Sequence, residues 1–169
     1  MRNVIAILLG AALACGWALT AAASSEPLPG TPSPARFGWP LEPAPEVLRL
    51  FEAPEQTFGA GHRGVDLAGR PGQAVLAAAD GVVVHAGWLV DRDVVSVEHA
   101  GGLRTSYEPV SPEVSAGDHV ARGQVIGRLE PGHPECPAAA CLHWGLREGD
   151  EYRDPLELVR GARVRLLPW

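Results

Sequence analysis

The sequence predicts an all-β sandwich or barrel, and three observations carry that expectation. Short runs rich in valine recur along the chain, each bounded by glycine, proline or aspartate. Glycine and proline number 20 and 16 of 169 residues, a share that favours turns and strands over long helices. Only one stretch, DPLELVRG at residues 154–161, carries both the start and the stop signals of a helix.

The elements follow in chain order. VLRLF (47–51), four apolar residues around Arg49, reads as a strand. GVVVHAGWLV (81–90) and DVVSVEH (93–99) are valine-rich and meet at a short polar turn. LRTSYE (103–108) follows the turn HAGG, and QVIGRLE (124–130) follows SAGDHVARG. PAAACLHWGLR (137–147) reads as a further strand, which places Cys141 and His143 on one face. In the helix, Asp154 is the expected N-cap, Pro155 the first helical residue, Glu157 the third, and Gly161 the stop.

The length suits one domain with a tail, and 46% hydrophobic residues suffice for a packed core. Arg2 and Asn3 precede an apolar run from 4 to 23 that ends in Ala21-Ala22-Ala23 and then turns polar. Residues 1–23 therefore read as a signal peptide, so the protein is expected to be exported to the cell envelope or beyond. The run is also long enough to be retained as a membrane anchor, and Cys15 offers lipidation as another outcome. Residues 24–45 hold seven prolines and cannot propagate a helix; they form a linker or an extended strap. Residues 46–169 make the domain. A net charge of −6 with no basic run argues against nucleic acid as a partner and against electrostatic hold on an anionic membrane. Membrane contact then falls to an uncleaved N-terminal segment alone.

Two motifs carry chemistry. In GAGHRGVDLAG (59–69), His62 and Asp66 stand four apart among glycines that disfavour a helix. On a straight strand their Cα atoms would lie about 13 Å apart. Ligands of one metal sit far closer, so a bend or bulge at Gly64 is expected between them. The second motif is His143. With His62 and Asp66 it makes two imidazoles and a carboxylate, the donor set of a catalytic zinc with one position left for water. Read alone, the H-x-x-x-D spacing is also a common chance pattern, and His143 beside Trp144 also suits a packed core histidine.

The segments GHRGVDLAG, ADGVVVHAGWL, GGLRTSYEP, VSAGDHVARGQVIGRLE and CLHWGLREG together resemble the lysostaphin/LytM-type zinc metallopeptidases, which cut peptide cross-links of bacterial peptidoglycan. The resemblance implies a mostly antiparallel barrel-sandwich hybrid fold, which the turn from Gly117 to Gly127 also fits. That fold is shared with biotinyl and lipoyl carriers, and the absence of lysine removes the carrier reading. The resemblance implies a zinc ion held by His62, Asp66 and His143. It also implies two further imidazoles, and here this sequence departs: their positions hold Cys141 and Pro109. A positioned acid–base group is worth about 10²–10⁴ in rate, and an oxyanion donor about 10²–10³. The expectation is a strongly impaired peptidase unless another side chain moves in, with Tyr107, Glu108 and His133 as possible lining residues. The catalytic residues themselves are left unassigned.

Cys141 keeps several readings. In an exported protein Cys136 and Cys141 form an even pair, which reads first as a disulfide across CPAAAC. A fourth zinc ligand, a free thiol near the metal and a buried inert cysteine are the others. Two functions are carried forward: an exported peptidase-like protein acting on or binding peptidoglycan cross-link peptides, and a non-catalytic module that binds wall peptides or regulates a cell-wall hydrolase.

Overall fold

The computed structural model describes residues 37–56 and 59–160. The leader at 1–23, residues 24–36 of the proline-rich segment and Gly161 lie outside the described residues. Alternating apolar side chains need a partner surface, and the chain supplies it by antiparallel pairing throughout. The strands are β1 (Val47–Arg49), β2 (Gly64–Gly69), β3 (Ala74–Leu76), β4 (Gly81–Leu89), β5 (Arg92–His99) and β6 (Leu103–Glu108). They continue with β7 (Val110–Pro112), β8 (His119–Val120), β9 (Val125–Leu129), β10 (Ala140–Glu148) and β11 (Glu151–Arg153).

Eight strands form one sheet in the order β1-β2-β10-β6-β5-β4-β8, with β11 paired to β10, and three form a second in the order β3-β9-β7. The fold class is all-β and antiparallel, as the sequence predicts. Side chains of both sheets meet in one core: Leu67, Val95, Tyr107, Leu142 and Trp144 from the larger, Val75, Ile126 and Leu129 from the smaller. Strand β10 positions the site. It is flanked by β2, where His143 pairs with Asp66, and by β6, where His143 pairs with Glu108. Trp144 and Leu142 are fully buried, so the alternation turns His143 to the opposite face.

Four short strands, β3, β7, β8 and β11, were not anticipated; at two or three residues they are too brief to show a period. The helix α1 spans Leu156–Val159, one residue shorter at its start than predicted. The N-cap is Pro155 in place of the expected Asp154, whose carboxylate nonetheless accepts the Leu156 N–H at 2.9 Å from one residue further out.

The described part of the proline-rich segment is a strap and not a free linker. Leu41 is fully buried, the Gly38 N–H donates to Ala78 O at 2.7 Å, and the Leu76 N–H donates to Pro40 O at 2.9 Å. Phe37 meets the ring of His99, and Trp39 that of Trp144. Proline stops helices, but it does not stop extended backbone from packing.

Candidate metal centre

His62 forms an isolated β-bridge with Glu52, exchanging both backbone hydrogen bonds at 2.8 and 2.9 Å. The chain then turns at Arg63 and enters β2. This is the bend the H-x-x-x-D spacing demands. Gly64 serves it differently from the expectation. Its backbone lies outside the left-handed region, and its missing side chain is what counts. A Cβ there would stand 2.5 Å from Trp144 O and 2.7 Å from His143 Nε2. Gly64 is therefore the seat on which the His143 ring lies.

Three donor atoms converge. His62 Nε2 is 3.0 Å from Asp66 Oδ1, His143 Nδ1 is 2.8 Å from the same oxygen, and the two ring nitrogens are 3.1 Å apart. All three donors lie within 4.8 Å of one another. His62 and Asp66 are buried, and the His143 side chain is 12% exposed. His62 Nδ1–H donates to the Leu50 carbonyl at 2.7 Å, which leaves the Nε2 lone pair facing the cluster. That carbonyl was invisible to sequence reasoning, because any residue at position 50 supplies it. Two imidazole nitrogens and a buried carboxylate oxygen thus face one another at hydrogen-bond distance. The donor set fits zinc, with three protein ligands and a fourth position for another ligand. Burial alone would raise the Asp66 pKa. The hydrogen bonds to His133 and His143, with the nearby imidazoles, outweigh it and hold the carboxyl well below the usual carboxylate range.

Residues 60–155, which contain the whole cluster, match the model of peptidase family M23. The chain belongs to peptidase family M23. It is 51% identical over 156 residues to the Mycobacterium tuberculosis protein named Rv2891, covering 90% of this chain and 61% of that protein. It thus spans less than two thirds of that relative. Among solved structures, a chain of the SpoIIQ–SpoIIIAH pore-forming complex is similar at TM-score 0.63 and 28% identity, over 75% of this chain and 92% of that one. The catalytic domain of the antimicrobial peptidase lysostaphin from Staphylococcus simulans shares the fold at TM-score 0.58 and 23% identity, over 69% and 93%.

Within this M23 domain the other anticipated residues separate. Cys141 is fully buried and joined to Cys136 by a disulfide, with Cα atoms 5.7 Å apart. The thiolate-ligand and free-thiol readings fall with that bond. Pro109 is buried just past the end of β6. Tyr107 does not line the site. It is turned into the core opposite Trp144, where Thr105 Oγ1 lies 2.8 Å from its hydroxyl and the Ala78 N–H donates to it at 3.0 Å. Burial pushes its pKa up to about 12. Glu108, next along the strand, faces the other way and lines a cavity of about 340 Å³ with His143, Ser96, Ser106, Arg104 and Tyr152. His133 does enter the site: its Nε2 is 3.1 Å from Asp66 Oδ1, and its side chain is 9% exposed. A larger cavity of about 600 Å³ lies elsewhere, beside His99 and His119. Its His99 is already satisfied by Asp80 O and Thr105 Oγ1.

Proposed function

We propose that this M23 domain is a zinc-dependent hydrolase acting on the peptide cross-links of bacterial peptidoglycan, exported by its apolar N-terminal segment. One observation supports this above the others: His62, Asp66 and His143 bring their donor atoms together, and His143 also lines a cavity in which Glu108, Ser106 and Arg104 offer polar contacts to a peptide backbone. Zinc, when bound, polarises a carbonyl and lowers the pKa of water. The remaining work belongs to the chain. The Leu50 carbonyl holds the Nε2 lone pair of His62 toward the cluster, Asp66 is held ionised, and Glu108, Ser106 and Arg104 beside His143 would meet the peptide.

The second reading is a module that engages wall peptides, or a cell-wall hydrolase, without turnover. Pro109 and Cys141, where relatives are expected to carry imidazoles, favour it, as does the likeness to a chain crystallised in a complex with another protein. Purified full-length protein separates the two. Zinc content by mass spectrometry and release of muropeptides from cross-linked peptidoglycan are measured for the native chain and His143→Ala. Zinc-dependent cleavage that disappears in His143→Ala supports the hydrolase. One zinc per chain with no cleavage supports the binding module. Sequencing the N-terminus of the protein recovered from the culture medium and from the envelope tests export.

A further inference from the structure

A loop histidine stands beside the metal cluster. His133 sits in the loop between β9 and β10, outside both family motifs, yet its Nε2 reaches Asp66 Oδ1 at 3.1 Å. Its ring lies nearly parallel to that of His143, at 29° and 5.7 Å between centroids. Its Nδ1 is buried and has no hydrogen-bond partner. A buried polar nitrogen without a partner is costly, and such costs are kept where a ligand or substrate supplies the partner. His133 also lines a cavity of about 310 Å³ together with Pro109, the position of one lost imidazole. The loop is tied through Cys136 to Cys141, the position of the other.

We propose that His133 is the catalytic imidazole of this domain, delivered from the disulfide-closed loop to replace those absent at positions 109 and 141. This rests on the hydrolase reading above. Cys141 has given up an imidazole of its own and tethers a loop that brings another. His133 is not a fourth ligand. The donors that all lie within 4.8 Å of one another are those of His62, Asp66 and His143, and His133 touches this set through Asp66. It stands beside the reacting position and leaves it free. There the imidazole accepts a proton from water as the water oxygen bonds to the carbonyl carbon of the amide. The imidazolium returns that proton to the amide nitrogen as the C–N bond breaks. One water is consumed, a carboxylic acid and an amine are released, and His133 ends unchanged.

The test compares the native chain, His133→Ala, His133→Gln and His143→Ala, each full-length and with the disulfide intact. Three quantities are read: zinc affinity, muropeptide release, and binding of inorganic phosphate, a tetrahedral anion, to the cobalt-loaded protein followed by its visible spectrum. Both His133 variants should bind zinc within about threefold of the native chain and cleave about 10²–10⁴-fold more slowly. Phosphate should bind at least about tenfold more weakly to both, as expected for loss of a charge-assisted hydrogen bond. Cleavage within threefold of native in His133→Ala would overturn the proposal and leave the hydrolase reading standing. A tenfold loss of zinc affinity with a changed cobalt spectrum would also overturn it, by making His133 a ligand. If the zinc-loaded native chain cleaves nothing, the hydrolase reading fails and the catalytic role falls with it. The phosphate arm then reports only whether His133 still contacts an anion at the site.

Discussion

The site has two halves built on different principles. Asp66 and His143 stand on β2 and β10, paired in register within an eight-stranded sheet. His133 stands on a loop whose tie is the Cys136–Cys141 disulfide, supplemented by the Cys136 N–H donating to the His133 carbonyl at 3.3 Å. The first half is over-determined: moving either side chain requires slipping a ladder, and a one-residue slip would send His143 into the core. The second half hangs on a single covalent closure. A sheet holds ligands because many weak bonds share the task, whereas a clamped loop holds a group that can be relocated without disturbing the sheet.

The largest effect should come from breaking the sheet-borne half at its ligand. His143→Ala should weaken zinc binding at least about 100-fold, since loss of even outer-shell partners of a metal costs 10–100-fold; competition with a chromophoric chelator measures it. Gly64→Ala strikes the same half indirectly. A methyl group 2.5 Å from Trp144 O and 2.7 Å from His143 Nε2 must displace the ring or part the strands, at about 3 kcal/mol of stability. Thermal melts should show the loss, with weaker zinc binding alongside.

The loop-borne half should yield more gently. Cys136→Ser with Cys141→Ser should lower stability by about 2 kcal/mol, as expected for so short a closed loop. One zinc per chain should remain, read by denaturant unfolding and metal analysis. Zinc lost with the disulfide would erase the distinction between the halves. The smallest effect lies away from both. His99 is buried, which lowers its pKa from 6.5 against the opposing hydrogen bond to Asp80 O. The unfolded chain therefore takes up a proton that the folded chain refuses. This contribution to stability is full above pH 6.5 and declines as pH falls below it. Between about pH 8 and about pH 5.5 the native chain should lose at most about 1.4 kcal/mol more than His99→Gln does in parallel melts.

The same contrast explains what could be read in advance. Strand alternation is a property of the sequence itself, so β4, β5, β6 and β10 and the shared face of Cys141 and His143 were legible. The metal triad was legible because two imidazoles and a carboxylate are chemically conspicuous and H-x-x-x-D required a bend. The facing of Tyr107 is not legible, because a motif position gives no direction; its neighbour Trp144 across the ladder does. The sequence suggests a bend at Gly64, whereas in the structure its missing side chain makes room for a ring supplied from residue 143, far along the chain. His133 could be named only as reaching over the site, since a loop has no period from which to compute a direction. The Leu50 carbonyl has no side-chain signature at all.

The buried strap bears on how the domain can be handled in the laboratory. A shortened version cloned from Glu46 onward, the boundary that proline content suggests, would discard Leu41 and leave its pocket vacant. Emptying a leucine-sized hollow in a core costs about 2–5 kcal/mol, a large part of what keeps a small domain folded. Poor yield or weak metal uptake from that truncated piece would thus report on the missing leucine rather than on the chemistry of the protein.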